Sequence, residues 1–329
     1  MLKTLGYRAA LKSFEETSEI IHSQKALSIS GTETLLRKLP KGNWIGGSTE
    51  YFIGEDGGVV TDDKFFVQEL DFDTVKIKSY DEKSLSGFTA DAYDNGFAII
   101  ILPFDSEVHK SYARHAADYK DIFLKSVVGW ISGINLDKAG QTPITVNGLT
   151  GEVYNDKAVV MFVDIPDDQN VLVNIINIFT PDEKSPIITF DEEGFKVRKC
   201  NINGKHVNFM DYISDNKLDT KLPLIGDYSG AGINISIKNM ENGEVSLYAP
   251  VFKGIEYRFA KPMPDYEAAF RKELQNIENK DSVFACNCIL NFLYGDLEGK
   301  KINGLYGPIT FGEIAWQLVN QTLVYLRIV

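Results

Sequence analysis

Cysteine, tryptophan and histidine are scarce in this 329-residue chain, at three, three and four residues respectively. Three cysteines (Cys200, Cys286, Cys288) cannot build a disulfide framework, which points to a reducing compartment. The four histidines offer no chelating pattern. His109 and His115 stand six positions apart, which on a helix is about 240° of rotation, so one ion cannot use both. No metal centre or cofactor is expected. Basic residues are in deficit, with 34 Lys and Arg against 46 Asp and Glu, a net charge of −12. Without a run of Lys and Arg, no cationic face exists to hold a phosphate backbone, so nucleic-acid partners are excluded. Long apolar runs are missing too. The longest, such as Phe97 to Phe104, falls far short of the roughly 20 residues that cross a bilayer, so no membrane partner is expected. The N-terminus lacks the apolar core of a signal peptide, because Glu15 and Glu16 arrive too soon. A cytoplasmic, acidic, soluble protein is expected. No Pro-rich or Ser-rich linker divides the chain, although its length suits about two domains.

What is present reads mostly as strand. Residues 7–25 read as a helix of mixed polarity, and Ser30 to Glu33 fits a capping box before Leu35, Leu36 and Leu39. Asn43 to Phe52 reads as a strand holding a glycine pair, and two more strands follow at 64–70 and 75–79. The run Gly96 to Pro103, bounded by Gly and Pro, reads as a strand covered on both faces. A helix over 107–123 and a second buried strand at 125–134 complete a strand, helix, strand order. From 142 to 204 the pattern is almost entirely β. A hairpin follows around Glu241-Asn242-Gly243, then an amphipathic helix over 264–278, a buried strand from Ser282 and a final strand from Gln321. The two halves echo each other loosely, each with a β-rich portion, a helix (107–123 and 264–278) and a short buried strand.

Few motifs carry chemistry. Cys286-Asn287-Cys288 supplies at most two metal ligands where a zinc site needs about four. Gly226 to Gly232 precedes an alternating strand pattern, not the helix a dinucleotide loop must open. Asp56-Gly57-Gly58 with Asp62-Asp63 lacks the closing Glu of a calcium loop and reads as a turn. Two stretches are less ordinary. Gly46-Gly47-Ser48-Thr49 puts glycines inside a strand, where they mark close backbone approach. Gly304 to Glu313 packs glycines, aromatics and a carboxylate into ten residues, a composition suited to a small polar ligand.

Taken in order, Trp44 to Thr49, Gly129 to Gly133, Gly194 to Met210, Val283 to Cys288, Gly304 to Glu313 and Val319 to Val324 resemble the FIST domains over residues 30–329. The turn after Cys286 departs from that family's pattern. The resemblance implies an α+β fold of two similar halves, each a mixed, mainly antiparallel sheet covered by helices. It divides the chain into a helical segment at 1–29, an N-terminal domain at 30–190 and a C-terminal domain at 191–329. It implies a sensory module for a small molecule, with amino acids the usual proposal, that signals through a separate protein partner. The positions it carries over as ligand-binding are Gly46, Gly47, Ser48, Thr49, Cys286, Tyr306, Gly312, Glu313 and Asn320, around a pocket between the halves. Two alternatives stay open. One is a hydrolase or transferase with Cys286 as nucleophile, and the other is a structural assembly protein.

Overall fold

A computed structural model describes residues 8–138, 140–228, 230–275, 282–301 and 304–329. The expected helices thus run partly outside the described residues, at Tyr7 and at 276–278. Strands make up 44% of the described residues and helices 19%. That overturns the expectation of two helix-covered halves. The architecture is instead a set of mixed sheets, and three of them repeat one plan.

The first sheet runs Arg8–Lys12, Phe65–Leu70, Ala26–Gly31, Trp44–Ser48, Thr145–Asn147, Glu152–Tyr154. The second runs Val75–Tyr80, Ala158–Asp164, Gly96–Pro103, Ser126–Ser132, Glu313–Ala315, Gln317–Val319, taken from its other edge. The third runs Val171–Ile176, Leu323–Ile328, Ser282–Cys288, Gly307–Thr310, Tyr51–Gly54, Gly57–Val60. In each, the third and fourth strands are parallel and every other neighbour is antiparallel. Each parallel pair is linked through a helix, at Glu33–Leu36, Glu107–His115 and Ile289–Tyr294. The chain therefore folds as three units, 8–70, 75–164 and 171–328. Each contributes four strands to its own sheet and lends a hairpin to another.

The lending is cyclic. The first unit's hairpin extends the third sheet, the second's extends the first, and the third's extends the second. Each of these three sheets thus contains strands from two units, so the units close only together. Strands on both sides of the 190/191 division share the third sheet.

Local chemistry explains where elements start and stop. Thr32 accepts a hydrogen bond from the Leu35 N–H and Ser106 from that of His109, which caps the first two connecting helices. The expected helix over 107–123 ends at His115. It breaks into short 3-10 turns at Ala116–Asp118 and Ile122–Leu124, with Asp121 at a positive φ of 59° that an α-helix cannot hold. The expected strand Asn43 to Phe52 is two strands of different sheets, broken at Thr49 and Glu50. Gly96–Pro103 is a strand with the bounds its apolar run suggested, buried from Phe97 onward.

The third unit also carries a long excursion between its first two strands. It contains a six-stranded and a three-stranded sheet packed around Phe190, Phe209, Tyr257 and Phe259. The helix Tyr266–Gln275 follows this excursion and precedes Ser282–Cys288, the place that Phe14–His22 holds before Ala26–Gly31 and Phe88–Asp91 before Gly96–Pro103, so it does not correspond to Glu107–His115. The echo of halves expected from 107–123 and 264–278 is therefore replaced by the threefold one.

Candidate functional site

The three units meet where their fourth strands end. There Ser48, Ser132 and Thr310 occupy equivalent positions, the last residue of each strand. The strand ends are tied pairwise. The Gly133 N–H donates to the Ser48 carbonyl (2.7 Å), the Phe311 N–H to the Ile131 carbonyl (3.0 Å), and the Thr49 hydroxyl to the Ile309 carbonyl (2.8 Å). Three quasi-equivalent junctions surround this meeting point.

Two of them are closed by side chains. Between the second and third units, the Phe104 and Phe311 rings meet edge to face at 5.3 Å. A Cβ on Gly133 would lie 2.0 Å from the Phe311 ring, so glycine is required for that seal. Between the third and first units, Tyr51 packs edge-on against Phe292 at 5.7 Å.

The junction between the first and second units is open. A cavity of about 320 Å³ lies there, within the range of small-ligand sites. It sits at the carboxyl ends of Ala26–Gly31, Trp44–Ser48 and Ser126–Ser132, the end at which parallel strands commonly present ligand sites. Its lining is rich in hydroxyls, with Thr32, Thr34, Ser48, Thr49 and Thr142.

The connection after the fourth strand explains the opening. In the first unit it is two residues, Thr49 and Glu50, and in the third it is also two, Phe311 and Gly312. In the second unit Ser132 ends one strand and Thr145 begins the next, leaving twelve residues, 133–144. This longer segment forms one wall of the cavity, and three of its side chains reach Glu50.

Glu50 is 4% exposed. Its carboxylate accepts from Asn135 Nδ2 at 2.6 Å, Lys138 Nζ at 2.8 Å and Gln141 Nε2 at 3.2 Å. Burial pushes this carboxyl up, but the three donors outweigh burial and hold it below its ordinary value. Lys138 also pairs with Asp62 at 2.9 Å, and its hydrogen bonds to both carboxylates raise its own pKa. The wall is anchored by the Tyr51 hydroxyl, which donates to Asn135 Oδ1 (3.3 Å) and accepts the Leu136 N–H (2.9 Å). Ser48 stitches it at both ends, donating to the Gly133 carbonyl (2.8 Å) and accepting the Ile144 N–H (2.9 Å).

Of the positions singled out in the sequence, Ser48 and Thr49 line this cavity. Gly46 and Gly47 lie behind it in the core. A Cβ on Gly47 would come within 2.7 Å of Ile101 and 2.8 Å of Trp130, so the glycine lets two sheets approach. Gly312 has a φ of 154° and no room for a Cβ beside Leu318. Tyr306 is half-buried against the core.

Glu313, Cys286 and Asn320 are buried away from the cavity, in a polar cluster. Glu313 is fully buried opposite Trp130 in the second sheet. Its Oε2 accepts the Thr322 N–H (3.2 Å) and hydroxyl (2.8 Å), and its Oε1 lies 3.1 Å from Thr310 Oγ1. Burial raises its pKa to about 8, against the opposing bonds of Thr322 and Thr310. The Thr310 hydroxyl has the carbonyls of Asn287 and Gly312 within 3.2 Å, so it can donate there and accept the Glu313 proton. Asn320 is 1% exposed, and its Nδ2 donates to the Val319 carbonyl.

The Cys286 thiol donates to the Gly129 carbonyl at 3.3 Å, and burial raises its pKa well above the ordinary value. A nucleophile needs the opposite, a lowered pKa and access to substrate. Among the described residues no group of His, Cys, Asp and Glu is placed to hold a metal ion.

Sequence reasoning missed Glu50, Asn135, Lys138 and Gln141. A signal for Glu50 was present: it is the one charged residue between Gly42 and Gly54. No comparable signal marks the other three, because their role depends on the wall folding back over Glu50.

No helix among the described residues is long and apolar enough to cross a membrane. No curated protein matches the chain. The FIST resemblance is overturned, since the family scan finds no FIST domain and a different family spans nearly all of the chain. Residues 12–329 match the model of DUF6976, a family of unknown function, and the chain belongs to that family.

Proposed function

We propose that this protein binds a small polar molecule, amino acids included, in the cavity between its first and second units. One observation carries the reading. The threefold plan needs only two residues after the fourth strand, yet the second unit has twelve, and they wall a cavity around a buried, ionised carboxylate. A longer loop that sends three polar side chains to one buried group is better suited to binding than to simple connection. The hydroxyl lining offers donors and acceptors to a polar guest.

The reading extends to a sensory role, in which a partner protein recognises the occupied state. A thermal-shift screen of amino acids, polyols, organic acids and amines tests the binding. A ligand at a hundred times its dissociation constant adds about 2.7 kcal/mol, which moves the melting point by a few degrees. The shift is expected to vanish in Glu50→Gln. A flat screen on well-folded protein, or a shift that survives this substitution, would defeat the reading. Pull-downs with and without the hit then test for the partner.

A further inference from the structure

Lys138 occupies the cavity in an informative way. Its ammonium reaches the buried Glu50 carboxylate from a side chain that is 43% exposed, and it touches Asp62 as well. Glu50 is anchored in the fold, whereas Lys138 hangs from the wall by a long flexible stem. The pair is unequal: a buried anion is answered by a partly exposed cation.

The remaining charge at the cavity is acidic. Glu33 is already paired with Arg37 at 2.7 Å. That leaves Glu50 and Asp62 against Lys138 alone, a charge of −2 + 1 = −1 with the lysine in and −2 with it out. An entering anion would meet two carboxylates. A neutral polyol would have to displace the ammonium and leave Glu50 without its cation, an expensive exchange for a buried carboxylate. A ligand ammonium can take the place of Lys138 at no loss of pairing.

We infer that Lys138 is a displaceable plug that stands in for the ligand, and that the ligand is a small primary amine with hydrogen-bonding groups for the threonine hydroxyls. This rests on the ligand reading of the same cavity. Entry of the amine transfers Glu50 from one ammonium to another, and Lys138 swings out to solvent. The plug lowers apparent affinity by the fraction of time it occupies the site.

Isothermal calorimetry on the full chain tests this with ethanolamine and putrescine as amines, glucose as a neutral probe and succinate as an anion. An amine is expected to bind wild type saturably. Lys138→Met should tighten that binding about tenfold, as expected if the plug is in place roughly nine-tenths of the time. Glu50→Gln should abolish it. Should that variant fail to fold, Asp62→Lys, a surface change, should weaken amine binding instead. Unchanged or weaker amine binding in Lys138→Met would overturn the plug. Amine binding that persists in Glu50→Gln would reduce the effect to the ion cloud of an acidic protein and overturn the inference. If glucose or succinate binds in a Glu50-dependent way while the amines do not, the inference falls and the ligand reading stands. Silence from all four probes overturns the inference, and a flat thermal screen besides would take the ligand reading with it.

Discussion

Two glutamates, each the lone charge in a long uncharged stretch, are treated oppositely by the fold. Glu50 is kept ionised by three donors, whereas Glu313 is kept neutral by burial. Their pH dependences therefore have opposite signs. Glu313 binds a proton in the folded protein up to a pH of about 8. When unfolded it releases that proton near pH 4.3 (about the ordinary Glu value), so stability falls as pH rises between these points. The loss approaches about 1.4 kcal/mol for each pH unit in that window. Glu313→Gln keeps the shape and removes the titration. Urea unfolding of wild type and variant from pH 5 to 8 should show the slope in the first and a shallower one in the second. Equal slopes would mean that Glu313 is ionised in the fold. Glu50 behaves as a depressed carboxyl: its contribution is present above its unfolded pKa and is lost as pH falls through the lowered folded value. Acid should therefore loosen the 133–144 wall first, as faster amide exchange there at pH 4 than at pH 7, after correction for intrinsic rates.

At the level of elements, close packing of sheets constrains the glycines, and an expanded connection builds the cavity. Gly47→Ala would set a methyl against Ile101 and Trp130, and overpacking of this kind costs about 1–3 kcal/mol, measurable by urea unfolding. Wild-type stability in that variant would show that the two sheets have slack. Replacing 133–144 by a two-residue link like those of the first and third units should keep the strand signal in circular dichroism. It should also abolish ligand-induced stabilisation. Loss of the fold on this replacement would mean that the wall holds the sheets together. Much at this scale was legible in the sequence. The run Gly96 to Pro103 is apolar at every step because both its faces are covered, and Gly46-Gly47 marked a close approach. Glu313 was singled out as a polar-ligand residue because a carboxylate amid glycines and aromatics looks like a lined loop. The structure buries it beside Thr310 and Thr322, away from the cavity. The three donors to Glu50 lie in an unremarkable stretch, Asn135 to Gln141, whose meaning comes only from its meeting with that carboxylate.

The whole molecule is organised by the exchange of hairpins among three units. This could not be read from the chain, because the units share almost no sequence and their pairings are non-local. The third unit, moreover, is split by its long excursion. The exchange argues against independent domains: residues 8–190 lack half the strands of the third sheet and the hairpin that extends the second. Fragments divided at 190/191 are expected to be unfolded when expressed alone, with collapsed amide dispersion in NMR spectra. Two well-folded fragments would refute the cyclic arrangement as the basis of stability. The same arrangement generates three comparable junctions and leaves one open, and the functional proposal rests on that asymmetry. A crystal structure of the protein soaked in putrescine addresses it most directly. Density bonded to Glu50 between Thr32 and Gly133, with Lys138 turned out to solvent, is expected. An empty cavity with Lys138 still on Glu50, or putrescine bound only elsewhere on the surface, would show that the open junction is a structural gap rather than a binding site.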